Sequence, residues 1–351
     1  TVQIMGNQIG SEGSDRVGDD GIDFDDAITG KSTVTIAGNT IGRSRRYAGD
    51  NGIEFDSIEG GATVNITNNP SIRTFDNGIH VGGKIENATL NITGNNHGIH
   101  AGQHGIYFGD EVTSNAKVNI HDNIISANED SRDGIGGNGI HFNDEVNANA
   151  DVNIGNGSGG TQNVGGSNVI NGYNGIVFND DIYNSASVDI DGNRIGFDAD
   201  AFTGPYSNDR LSANGIKFSN IYDSAEIIIT DNHIRAGEDG VQFDGQVYGK
   251  ADILIGGKAG DKNTINALNN GIEFNEDVSG NALVEISHND IDSTLSGIRF
   301  EGDVSNVAAG GVSQEEILIT NNDIDIYGAG SGINFAGNVS DNRHDTRIAN
   351  N

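Results

Sequence analysis

The sequence predicts an all-β chain wound as a right-handed parallel β-helix, a β-solenoid of eleven coils plus the start of a twelfth. Three observations predict it. An apolar-x-Ile pair followed by a Gly-Ile-x-Phe unit, or a close variant, recurs eleven times. The spacing between copies varies from 26 to 39 residues while these short apolar words stay fixed. The apolar residues alternate with period two, so no segment carries the stripe at 3.6-residue spacing that a helix needs.

The first strand of each coil carries the apolar pair, as at Val2/Ile4, Val34/Ile36, Val118/Ile120, Ile227/Ile229 and Ile317/Ile319. Both side chains share a face and turn inward. Asn stands three residues after the Ile in most copies, at Asn7, Asn39, Asn69, Asn95, Asn123, Asn193, Asn232, Asn289, Asn322 and Asn351. Stacked coils would set these amides about 4.8 Å apart, where each bonds to the next. The copies at Ile154 and Ile255 break the rule, with Gly157 and Lys258 in that place.

A second aliphatic, such as Ile9, Ile41, Ile125, Ile195, Ile234, Ile291 or Ile324, starts a second strand. A variable segment follows, longest between Gly196 and Asn214, where Pro205 and Tyr206 lie. The Gly-Ile-x-Phe strand is entered through Asn-Gly or Asp-Gly, as at Asn51-Gly52 and Asp20-Gly21, which predicts a sharp corner at positive φ. An aliphatic such as Ile28, Val112, Val146 or Val247, then a small residue such as Ala62, Ala116 or Ala225, closes the coil.

Together these words resemble the generic coil repeats of the pectate-lyase-like superfamily of right-handed parallel β-helices. That superfamily contains polysaccharide lyases, hydrolases and epimerases, phage tailspikes and surface adhesins, so the resemblance implies an architecture and leaves the activity open.

Composition narrows the partners. A net charge of −32 excludes nucleic acid, whose phosphates would be repelled. The chain has no Cys, so neither disulfides nor thiolate metal sites hold it, and it has no apolar run of membrane-spanning length. Residues 1–351 read as one continuous β-helix, a segment of a longer chain. The acidic, Gly- and Asn-rich, Cys-free composition fits a bacterial extracellular or cell-surface setting.

Function falls on outward positions. In Gly-Ile-x-Phe these are Asp23, Glu54, His80, Tyr107, His141, Val177, Lys217, Gln242, Glu273, Arg299 and Asn334, and no chemistry repeats along them. Catalytic residues are not expected. The nearest approaches are Asp23 with Glu54, two carboxylates on adjacent coils as a retaining glycosidase would use, and Glu273 beside Arg299, a lyase-like carboxylate and base. His97, His100 and His104 suggest a transition-metal site by proximity, but they lack carboxylate partners and read as surface histidines.

Acids recur just after the Phe strand, at Asp25 and Asp26, Asp110 and Glu111, Asp144 and Glu145, Asp180 and Asp181, and Glu276 and Asp277. Stacked carboxylates would repel by about 1 kcal/mol each in water, so calcium bridging the coils is the expected relief. No organic cofactor is implied. On the first strand the outward column turns from Asn and Thr to Ile228, Leu254 and Leu318, an apolar strip for a partner or a covering loop.

The expected function is a structural or adhesive module of a large surface or extracellular protein, touching other copies or flanking domains of the same protein, or surface glycans. The alternatives are a polysaccharide lyase, hydrolase or epimerase, and a phage tailspike-like receptor binder.

Overall fold

A computed structural model describes residues 1–10, 19–42, 49–127, 137–155, 167–197, 211–306, 317–340 and 346–351. Gly157, Pro205 and Tyr206 lie outside them. The chain is a right-handed parallel β-helix with three long sheets. The first has twelve strands, from Val2–Met5 to Thr346–Ala349. The second has eleven, from Gln8–Ile9 to Asp323–Ile326, and the third eleven, from Ile22–Phe24 to Ser331–Phe335. A fourth side is made of short strands and single bridges, running from Ile28 to Val339. Each strand pairs in parallel with its counterpart one coil away, Val34 on Val2 and Ile36 on Ile4. The hairpin that Asn-Gly would otherwise signal is absent among the described residues.

Stacking in register turns each apolar word into a column. Ile53, Ile79, Ile106 and Ile140 are fully buried, and so are Ile41, Ile72 and Ile99 on the second sheet. Each such side chain contributes on the order of 2 kcal/mol of burial. The Phe column stacks ring on ring, with Phe108 and Phe142 centroids 4.3 Å apart and Phe243 and Phe274 4.4 Å apart. Val81 interrupts it between Phe55 and Phe108.

The glycines of Gly-Ile-x-Phe are not at positive φ, contrary to the expectation for this corner. All but Gly332 are glycine for want of room. A Cβ on Gly105 would stand 2.3 Å from Ile125 Cγ2 and 2.6 Å from the carbonyl oxygen of Gly139. Left-handed residues sit at other corners: just before the ladder asparagines, as at Gly6, Gly38, Asn68, Asp122, Asp231 and His288, and between the fourth side and the first sheet, as at Ser114, Asn115, Ala148, Asn149, Asn184 and Ser185.

The asparagine column is unbroken through twelve coils: Asn7, Asn39, Asn69, Asn95, Asn123, Asn168, Asn193, Asn232, Asn263, Asn289, Asn322 and Asn351. The two copies without Asn at the expected spacing supply it later, as Asn168 and Asn263. At Asn69, Nδ2 donates to Asn95 Oδ1 at 3.0 Å and to the Ile36 carbonyl at 3.1 Å. Its own Oδ1 accepts the Asn39 backbone N–H at 2.9 Å and Asn39 Nδ2 at 3.2 Å. One side chain therefore ties three consecutive coils, with its buried polar atoms satisfied.

A second, shorter ladder climbs the surface of the first sheet through Asn65, Asn91, Asn119 and Asn153. The two ladders differ in what their loss exposes. Asn168→Ala strands the buried N–H and amide of Asn123 and is expected to cost about 2 to 4 kcal/mol, whereas Asn65→Ala, facing solvent, costs less than about 1 kcal/mol. Urea unfolding followed by circular dichroism measures both, and equal losses would contradict the load assigned to the inner ladder.

Candidate functional site

The corner between the second and third sheets carries a further polar ladder, with the residues Asp20, Asn51, Asn77, His104, Asn138, Asn174, Asn214, Asp239, Asn270 and Ser296. Here each backbone N–H donates to the side chain of the preceding coil, the reverse of the inner asparagine ladder, whose N–H groups donate to the following coil. Where the repeat asparagine is replaced, the neighbouring outward residues of the third sheet change chemistry. Two kinds of departure result.

The first is a carboxyl pair. Asp239 occupies the ladder and Glu273 stands one coil on; they are 4% and 6% exposed, so an unshared second charge would be costly. Two amides bridge them. Asn270 Nδ2 donates to Asp239 Oδ1 at 3.1 Å and to Glu273 Oε1 at 2.9 Å, and Gln242 Nε2 reaches Asp239 Oδ2 at 3.3 Å and Glu273 Oε2 at 3.5 Å. Burial, then the Asp239 carboxylate, pushes Glu273 up to about 7, so it holds a proton near neutrality. Arg299 Nη1 lies 3.6 Å from Glu273 Oε1 while its Nη2 donates to Glu301 at 3.0 Å. The expected Glu273/Arg299 neighbours are thus brought together, with Asp239 as the member that pattern reading missed.

Asp20 and Glu54 repeat the arrangement at the other end of the column. Asn51 Nδ2 donates to Glu54 Oε2 at 2.6 Å, and burial and Asp20 push Glu54 up to about 7. Asp23 is in register with Glu54 but exposed, and after burial itself the half-buried Asp20 raises Glu54 more than Asp23 does. The sequence signal for both pairs is Asp in place of Asn before Gly, followed one coil later by Asn-Gly-Ile-Glu-Phe.

The second departure is aromatic. His104 replaces the ladder amide, and His80, Tyr107 and His141 occupy successive outward positions. The His104 ring stacks on Tyr107 at 5.0 Å and meets His141 edge-on at 4.6 Å. Burial pushes His104 and His141 down to about 4, so both are neutral at pH 7. His80 Nδ1 lies 3.4 Å from Glu54 Oε1. Of His97, His100 and His104, expected as surface histidines, His97 is exposed, whereas His100 is 6% exposed and His104 belongs with His141.

The acidic corners relieve their charge largely with neutral donors. Asp110, Asp144 and Asp180 each cap the backbone N–H of the next residue, at 2.8, 2.9 and 2.8 Å. Glu145 accepts Tyr183 Oη at 2.6 Å and Asn147 Nδ2 at 3.0 Å, and Glu111 accepts Asn147 at 3.2 Å. Asp181 accepts Asn220, and Asp277 accepts the Asp303 N–H. Asp25, Asp26 and Glu276 are exposed. No group of three or more His, Asp or Glu side chains among the described residues could hold a metal ion.

Ile228, Leu254 and Leu318 are half-buried, and Glu285 separates the last from the other two, so the apolar strip is not continuous. More exposed apolar side chains lie at the corner between the second and third sheets, at Leu268, Leu295 and Tyr327 on successive coils. No known protein family, curated protein or solved structure matches this chain.

Two predictions follow from these charges. A raised carboxyl stabilises the fold below its unfolded pKa, and that contribution is lost as pH rises through about 7; the lowered His104 and His141 act oppositely, losing theirs as pH falls from about 6.5 toward 4. Glu273→Gln, a mimic of the protonated acid, should therefore gain stability relative to the unsubstituted chain between pH 5 and 8, by about 1 to 3 kcal/mol. Denaturant midpoints at the two pH values measure it, and a constant difference would refute the proton assignment. Sodium chloride should raise the melting midpoint by screening the net charge of −32, while a chelator at matched ionic strength should leave it within about 1 °C; a fall of several degrees would support calcium bridging of the acidic corners.

Proposed function

We propose that this chain is a stiff, non-catalytic structural or adhesive module of a large bacterial surface or extracellular protein. The observation that supports the reading is the inner asparagine ladder, present in all twelve coils without a missing rung. Such a ladder is retained when the length and rigidity of the rod are themselves useful. At the usual strand spacing, twelve coils make a rod about 50 to 55 Å long.

Contacts in this reading come from the outside of the coils, with flanking domains, further copies or surface glycans as partners. The exposed Leu268, Leu295 and Tyr327 corner and the Ile228/Leu254 patch are the apolar positions available to them. The acidic corners would gather divalent cations such as calcium as a diffuse atmosphere. The likeness to the pectate-lyase-like superfamily belongs to this proposal as one of coil architecture.

One observation favours a second reading, acid–base chemistry on a polysaccharide: Glu273, raised by burial and Asp239 to about 7, beside Arg299. The two readings separate in one experiment. Incubation with neutral and acidic polysaccharides, read by reducing-end and unsaturated-product assays, should release nothing above background. Product formation at catalytic rates that disappears in Glu273→Gln would replace the structural reading with the enzymatic one. In solution scattering the chain should behave as a rigid monomeric rod, and a tight trimer would favour the tailspike-like alternative.

A further inference from the structure

The outer ladder on the first sheet meets a carboxyl where its next amide would stand. Its amides all run one way: Asn91 Nδ2 donates to Asn65 Oδ1 at 2.8 Å, Asn119 Nδ2 to Asn91 Oδ1 at 2.8 Å and Asn153 Nδ2 to Asn119 Oδ1 at 3.2 Å. The second hydrogen of Asn153 Nδ2 goes to Asp151 Oδ1 at 2.9 Å, and because a carboxylate only accepts, this bond fixes which end of the amide is nitrogen. Both hydrogens are then spent. Asn153 Oδ1 takes no hydrogen bond from the described residues and, like each oxygen below it in the ladder, is presented to the following coil, where Asp189 stands in register.

Asp189 is itself unsatisfied. Its Oδ1 is buried with no hydrogen-bond partner, while the side chain as a whole is half-buried, so protons can reach it from solvent. On its far side the column continues as Ile228 and Leu254, which have nothing to donate. The charges nearest to it carry its own sign: Asp151 on one neighbouring strand, Glu226 on the other and Asp191 on its own strand, where Ser187 is the remaining outward residue. Asp191 accepts Thr230 Oγ1 at 2.9 Å, and Lys117, one coil beyond Asp151, lies 3.5 Å from the Asp151 carboxylate. Burial, then Asp191, Asp151 and Glu226, push Asp189 up to about 6. From Gln3 through Leu254 it is the one ionisable side chain in this column.

We propose that a proton between Asp189 and Asn153 switches the last rung of the outer ladder. With the proton, taken from solvent, the Asp189 hydroxyl donates to Asn153 Oδ1 and the ladder reaches a fifth coil; without it, two acceptor oxygens oppose each other and the rung opens. An amide at position 189 would close the rung at every pH, so the acid is what makes it conditional. Hydrogen bonding to the neutral form adds to burial in favouring the proton. The folded pKa lies above the unfolded value of about 3.9, so the contribution is full below that value and is lost as pH rises through about 6. Closed, the rung leaves the outward column uncharged from Gln3 to Leu254; open, it sets a carboxylate against Ile228. The first sheet thus presents one face in mildly acidic surroundings and another above neutrality, whether the rod serves structure or catalysis.

The test uses the whole chain and carbon-detected NMR of its carboxyl and carboxamide groups, with Asp189 and Asn153 assigned through their backbone resonances. Asp189 should titrate with a midpoint near pH 6, and the Asn153 Cγ signal should move downfield on acidification with that same midpoint, as its oxygen gains a hydrogen bond. In Asp189→Asn the Asn153 signal should hold still over the same range. Between pH 5 and pH 7.5 the unsubstituted chain should lose about tenfold in folding equilibrium constant relative to Asp189→Asn, the other titrating groups being common to both. Urea midpoints read by circular dichroism measure that difference. Three results would overturn the proposal: an Asp189 midpoint below about pH 5, an Asn153 signal that ignores the Asp189 titration, or a stability difference that stays constant with pH. The two NMR readouts come from the unsubstituted chain and decide the matter even where the variant folds poorly.

Discussion

Every coil between the first and the last depends on a buried amide that has nowhere to find water. Asparagine suits that place because its side chain copies the backbone's own donor and acceptor and can bond above and below at once. Asn193 illustrates the geometry: Nδ2 donates to the Ile154 carbonyl at 2.7 Å and to Asn232 Oδ1 at 3.1 Å, and the Asn193 backbone N–H meets the same oxygen at 2.9 Å. Aspartate would stack like charges and glutamine would be too long, so the repeat tolerates variation nearly everywhere except here. The apolar columns supply the larger share of the free energy, but they are indifferent to small slips along the strand. Polar bonds with a fixed geometry set the register that places Ile on Ile and Phe on Phe.

Much of this was legible because coils repeat. The inward pairs, the second-strand Ile column and the Phe column all lie where two-residue alternation places them. Two rungs escaped because the asparagine was located from one side only. Asn168 and Asn263 stand late relative to the preceding Ile, yet each is two residues before the Ile that follows, Ile170 and Ile265. Conversely Asn69 and Asn95 miss that second spacing and obey the first. Insertions fall on either side of the turn, so both strands must be consulted to find the rung. The Gly of Gly-Ile-x-Phe was also explained wrongly, since crowding by a neighbouring coil leaves no trace in a local turn signature.

The candidate sites were less legible for a related reason. Glu54 and Glu273 stood out as acids, but what raises their pKa is burial by the stacked coils and then Asp20 and Asp239, which belong to the coil before and to a different column. His104 looked like a neighbour of His97 and His100 in the chain, whereas stacking pairs it with Tyr107 and His141. In a solenoid, chemistry assembles along the axis, perpendicular to the direction in which the sequence is read. A site is therefore best sought as a run of exceptions at one register position across consecutive copies.

The opposed sense of the two buried ladders bears on how long such a molecule can grow. Hydrogen bonds all aligned one way, as in a helix, would build up partial charges at the two extremities. Here the inner asparagines send their N–H groups toward later coils and the corner residues send theirs toward earlier ones, so the two polarities offset each other. Further turns can then be added without the tips becoming electrically distinct, and a gene that duplicates one copy of the repeat extends its product with no penalty of that kind.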